Sequence, residues 1–227
     1  MELQVFQRER ENGHYGVTAF VIANTLSSIP FLLLVTLIPG VIAYYLPGLQ
    51  NGLEHFVYFI CVLFSSLMLV ESLMMIVASI VPNYLMGIIT GAGIQGVMLL
   101  LSGFFKLPND IPKPVWKYPL HYIAFHTFAN QGMFKNEYEG LRFDAKNDGG
   151  SSHSYITGEE VLRNVWQVDM SYSKWVNLAI LMGMIVLYRV LFLVIIKIEE
   201  KLKTLVVPLS SKRSTQIMEN PNATPSH

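Results

Sequence analysis

Residues 17–46 read VTAFVIANTLSSIPFLLLVTLIPGVIAYYL, and no side chain in that stretch carries a charge. A helix rises about 1.5 Å per residue and the hydrocarbon core of a bilayer is about 30 Å thick, so roughly 20 such residues cross it. The run exceeds that requirement. Pro30 and the pair Pro39-Gly40 mark where the helix is expected to kink, because proline removes a donor and clashes with the preceding turn.

The same pattern returns three times further along the chain. Residues 55–80 are apolar with one acid, Glu71, and end at the turn signal Val81-Pro82-Asn83-Tyr84. Residues 85–105 follow at once, so the two runs form a helical hairpin with a very short link. Residues 175–196 make the fourth run, interrupted by Arg189. Composition agrees: 52% of residues are hydrophobic and 14% charged, with a mean hydropathy of +0.41, beyond the usual range of soluble domains. The expected fold class is an all-α membrane protein with about four spans.

Several function classes lose support on the same grounds. Lys plus Arg equals Asp plus Glu at 16 each, so the basic excess typical of nucleic-acid binding is missing. Cys61 is the single cysteine and lies within an apolar run; it makes no intrachain disulfide and is expected as a buried thiol. His121 and His126 are five apart, but the other histidines, at 14, 55, 153 and 227, are scattered. No metal site is expected. A serine-nucleophile motif is also lacking.

The one long polar region, 106–174, opens with Pro108, Pro112, Pro114 and Pro119. Residues 118–134 are aromatic and apolar, suited to short re-entrant or interfacial helices. Thr157-Gly158-Glu159-Glu160 has the spacing of a capping box and opens a short helix toward Val168. Met1 is followed by the charged stretch Gln7-Arg8-Glu9-Arg10-Glu11 and not by a secretory signal, so insertion is expected to rely on the internal spans.

Charge bias gives an expected orientation. The links at 47–53 and 81–84 hold no lysine or arginine. Arg8 and Arg10 precede the first span, and Lys197, Lys201, Lys203, Lys212 and Arg213 follow the last. Both termini are therefore expected in the cytoplasm and the 106–174 loop outside. The tail, 198–227, is expected to lose order from Pro208 onward. Its glycosylation pattern Asn222-Ala223-Thr224 is expected to stay unused.

The ordered set of motifs resembles one family. Glu9-Arg10-Glu11-Asn12-Gly13-His14-Tyr15, then Ala23 and Pro30, Ser102-Gly103 with the aromatic stretch after it, Thr157-Gly158-Glu159-Glu160 and the last span are similar to the G subfamily of ABC transporters, the white-brown half-transporters. The stretch from Val5 to Phe20 looks closest to the plant branch associated with cuticular wax and cutin export. The resemblance covers roughly residues 6–196. It implies a partial type-2 ABC exporter transmembrane domain, the last four spans of six, in a multi-pass plasma-membrane protein.

That resemblance also implies partners and roles. Family members form homo- or heterodimers with another half-transporter, export apolar lipids and couple export to ATP and magnesium held by a nucleotide-binding domain. This sequence contains no Gly-x4-Gly-Lys-Ser/Thr phosphate loop, so the chain is expected to be non-enzymatic and without a cofactor of its own. Residues 1–15, with Glu9 and Arg10, match the cytoplasmic coupling segment. Ala92, Gly96 and Leu99 match the positions lining the family's central cavity, and Phe104 and Phe105 match the apolar pair closing its outer exit. The alternatives are a truncated, non-transporting subunit that pairs with full-length half-transporters and an unrelated four-span channel or scaffold.

Two further groups follow from the residues themselves. Gly87-x3-Gly91 and Ala92-x3-Gly96 put small residues one turn apart, where backbones approach closely in lipid. Packing against a neighbouring span and packing across a dimer both fit. Glu71 and Arg189 lie on the order of 12–15 Å from the cytoplasmic ends of their spans at the helical rise per residue. They are candidates for a buried pair in a polar relay from coupling segment to cavity; the other reading has Arg189 snorkelling and Glu71 protonated.

Overall fold

A computed structural model describes residues 16–105, 121–145 and 154–219. Four of its helices are long and apolar enough to cross a membrane: α1 (Val17–Tyr45), α2 (Leu53–Ile80), α3 (Tyr84–Leu101) and the first part of α7 (Lys174–Glu219). Between α3 and α7 come α4 (His121–Ile123), α5 (Phe125–Tyr138), the strands β1 (Arg142–Ala145) and β2 (Ser154–Thr157), and α6 (Gly158–Asn164).

α2 is the central helix, packed against α1, α3, α5 and α7. Its buried side chains Tyr58, Val62, Leu69 and Leu73 recur at helical spacing and meet Phe125 and Ala129 of α5 and Leu181, Ile185 and Tyr188 of α7. A second cluster joins Val17 and Val21 of α1 to Phe192 and Ile196 of α7. In lipid these contacts cannot draw on the hydrophobic effect, because acyl chains are as apolar as leucine; close packing and hydrogen bonds hold the helices instead. The outward faces of α1 and α3 accordingly carry exposed leucine, isoleucine and phenylalanine.

α1 runs as a single helix that contains both Pro30 and Pro39. Hydroxyls along it bond back to the carbonyl four residues earlier, Thr25 to Val21, Ser28 to Asn24 and Thr36 to Leu32, whereas the carbonyls that Pro30 and Pro39 leave without a helical N–H are those of Leu26 and Val35. α3 ends at Leu101 and not at Phe105. Gly103 takes a left-handed φ of 86°, a C-terminal stop that favours glycine.

The last span, expected to end near residue 196, has its apolar stretch within Lys174–Glu199, and the backbone continues as helix to Glu219. Alongside its short helices the polar loop carries two short strands. β1 and β2 pair antiparallel, with Arg142 opposite Thr157 and Ala145 opposite Ser154. The capping box is present, with Thr157 accepting from Glu160 N at 3.3 Å and Glu160 accepting from Thr157 N at 3.2 Å. Its helix is short, ending at Asn164.

Candidate functional site

Three helices meet at a polar junction inside the spanning bundle. Arg189 of α7 donates from Nη2 to Glu71 Oε2 of α2, and Ser28 of α1 donates to the other carboxylate oxygen, Oε1. The sulfur of Met75, one turn on from Glu71, accepts from Asn24 at 2.9 Å and from Arg189 Nη1 at 3.5 Å. The structure thus brings Glu71 and Arg189 together. Sequence reasoning missed Asn24, Ser28 and Met75; the four-residue spacing of Asn24 and Ser28, matching that of Glu71 and Met75, was the available signal. An apolar groove of about 410 Å³ between α1 and α7 runs beside this junction, with Val21, Leu26 and Val190 among its walls.

α3 has two unlike faces. A Cβ at Gly91 would collide with Met74 Sδ of α2, whereas one at Gly87 or Gly96 would meet nothing within 4 Å. Gly91 is therefore the close-packing residue within the chain, and Gly87, expected to share that role, is not. Ala92, Gly96 and Leu99 lie exposed on the open side. Beyond the helix end, Phe104 and Phe105 pack edge to face at 5.1 Å and stay largely exposed. Glu9 and Arg10 lie outside the described residues, as do Pro108–Pro119 and Asn222-Ala223-Thr224.

A second polar assembly, not foreseen from sequence, docks α5 onto the ends of α2 and α7. Lys135 is buried, donates to Tyr172 O at 2.8 Å and sits 3.8 Å from the centroid of the Tyr172 ring. Burial pushes its amine below the ordinary lysine range, against the opposing pull of Asp169 and Glu139. Asn136 exchanges bonds with His55, Nδ2 to His55 O at 3.0 Å and His55 Nδ1 to Asn136 O at 2.9 Å. Lys174 reaches Asn136 Oδ1 at 3.2 Å and Glu54 at 3.5 Å. Lysine and asparagine in an otherwise aromatic segment were the only hint.

The histidines at 121 and 126 do not form a metal site. No group of three or more potential ligands occurs among the described residues. His121 instead donates from Nδ1 to Leu101 O at 2.6 Å. His126 stacks on Phe125 with ring centroids 4.1 Å apart, and burial holds its imidazole below the ordinary value.

Long apolar helices around buried ion chemistry, capped by a polar domain on one end, define a multi-pass membrane protein. The chain belongs to the ABC-2 type transporter family, whose family model matches residues 1–138. It is 61% identical to ABC transporter G family member 1 of Petunia hybrida over 95% of this chain and 32% of that protein. Against ABC transporter G family member 11 of Arabidopsis thaliana it is 56% identical, over 88% of this chain and 28% of that protein. Member 13 of the same plant is 39% identical over 97% of this chain and 32% of that protein. The chain thus spans about a third of the length of these relatives.

Proposed function

We propose that this chain forms part of the transmembrane permease of an ATP-driven exporter of apolar lipids such as wax or cutin precursors. The observation that carries the reading is the asymmetry of α3. One face is locked onto α2 through Gly91, while the face of Ala92, Gly96 and Leu99 is unfilled and leads to the Phe104–Phe105 pair. A second G-family half-transporter, identical or different, brings its own α3-like face opposite and encloses a path. Small side chains at Ala92 and Gly96 leave room for a bulky apolar solute.

In this reading the coupling segment holding Glu9 and Arg10 receives the motion of a nucleotide-binding domain. The Glu71–Arg189–Ser28 junction ties the helix that follows that segment, α1, to α2 and α7, so a tilt of α1 reaches the rest of the bundle as one body. In this reading ATP and magnesium belong to a separate nucleotide-binding domain. Charge bias supports cytoplasmic termini with α5 and the hairpin outside, and the family resemblance supports the plasma membrane.

Sequencing the transcript upstream of Met1 tests the first part. An in-frame phosphate loop and two further spans support the exporter; a stop codon there favours a separate membrane subunit that borrows its ATPase from a partner. Lipid release from cells expressing the complete product, with and without substitution of Gly96, tests the second.

A further inference from the structure

The end of α3 is tied to α4 and α5 by hydrogen bonds that converge just before the Phe104–Phe105 pair. Ser102 is buried and its hydroxyl uses its whole capacity, one donor and two acceptor positions. It donates to Leu99 O at 2.7 Å, accepts from Phe104 N at 3.3 Å and accepts from Asn130 Nδ2 of α5 at 3.2 Å. One residue earlier, the carbonyl of Leu101 is one of the helix-end acceptors that lack an intrahelical partner. His121 Nδ1 fills it at 2.6 Å, and since a carbonyl only accepts, that nitrogen carries the proton. His121 is itself buried and fixed, because Thr127 Oγ1 donates to its carbonyl at 2.8 Å.

We infer that His121 and Asn130 are positioning residues of the outer gate. They latch the Leu101-Ser102-Gly103 turn to α4 and α5, so that Phe104 and Phe105 move only when the outer helices move. The inference rests on the reading of Phe104 and Phe105 as a gate. Physically, a helix end near the membrane must keep its carbonyls paired, so the turn is held in one arrangement for as long as α4 and α5 supply the donors. Gly103, with its left-handed φ of 86°, is the backbone joint between the latched residues and the aromatic pair. Opening the exit then requires α4 and α5 to withdraw their donors, His121 and Asn130, together, which makes the outer segment the moving part and the aromatic pair its passenger.

The test places a single cysteine at Phe104 in the full chain with Cys61→Ser, and follows its labelling by a membrane-impermeant maleimide on intact cells. His121→Phe and Asn130→Leu each remove one donor and are expected to raise the labelling rate roughly fivefold, the population change that follows from losing one buried hydrogen bond. His121→Asn, which keeps an N–H near the Nδ1 position, is expected to restore the reference rate, an outcome that loss of bulk alone would not give. A cysteine at the exposed Tyr155 of β2 reports folding and is expected to label equally throughout; if one donor-removing variant fails that control, the other decides. Rates at position 104 within twofold of the reference in both variants would overturn the latch. If labelling rises as expected while Phe104→Ala leaves lipid release unchanged, the gating role is overturned and the tether alone stands.

Discussion

Arg189 and Glu71 form an ion pair within the spanning part of the bundle, linking α7 to α2, and Ser28 adds α1 through the second carboxylate oxygen. The two partners are not equivalent, because an arginine keeps its charge whether or not it is paired and Arg189 is the more buried of the two.

Glu71→Gln is therefore expected to destabilise the protein more than Arg189→Met. The cost for Glu71→Gln is about 3 kcal/mol, as for other buried pairs that lose one member, and that for Arg189→Met is smaller. Thermal denaturation in detergent measures both. The exchange Glu71→Arg with Arg189→Glu is expected to recover part of the loss; no recovery would count against the pair as a unit of the relay.

The two faces of α3 give opposite outcomes for the same kind of substitution. Gly91→Val forces the flexible thioether of Met74 aside and is expected to cost about 1 kcal/mol, the low end for overpacking. Gly96→Val meets open space and is expected to leave the melting temperature unchanged. Equal shifts at the two positions would show that the face assignment is wrong.

How far sequence alone reaches is visible in these residues. The spans were legible because a run without charge has one stable solution in lipid, and the depth of Glu71 and Arg189 followed from counting residues along a helix. Their partners Ser28, Asn24 and Met75 were not, because the matching four-residue spacings of Asn24–Ser28 and Glu71–Met75 point to each other only once the facing helix is known. Gly87 and Gly91 look alike in sequence, yet only Gly91 faces α2. The helix end at Leu101 depended on His121, twenty residues away, a contact that no local pattern encodes. The hairpin of β1 and β2 was missed because four-residue strands carry too little periodicity to read.

Lys135 and Asn136 dock α5 against α2 and α7, so Asn136→Leu is expected to cost about 1–3 kcal/mol by leaving backbone and lysine groups unpaired. Hydrogen exchange should quicken in α5 and at His55 while the middle of α2 stays protected. Exchange that quickens equally along α2 would mean that this assembly is not a local dock.

His126 supplies a pH dependence whose sign is fixed. Burial lowers its folded-state pKa below the ordinary 6.5, so the unfolded chain binds the proton more readily. Its contribution to stability is whole above pH 6.5 and is lost as pH falls through the lower folded-state value. Melting temperature is expected to drop on acidification from pH 7.5 through that window, and His126→Leu to flatten the drop. A slope unchanged by the substitution would assign the effect to other groups.

The most direct measurement is ATP-dependent accumulation of a radiolabelled long-chain alcohol in inside-out vesicles carrying the complete transporter encoded by the transcript, wild type against Gly96→Trp. Accumulation in the wild type, lost in Gly96→Trp while melting temperature and membrane insertion are retained, is the expected result. Accumulation untouched by a tryptophan at Gly96 would contradict the assignment of the open face of α3 as the lipid path.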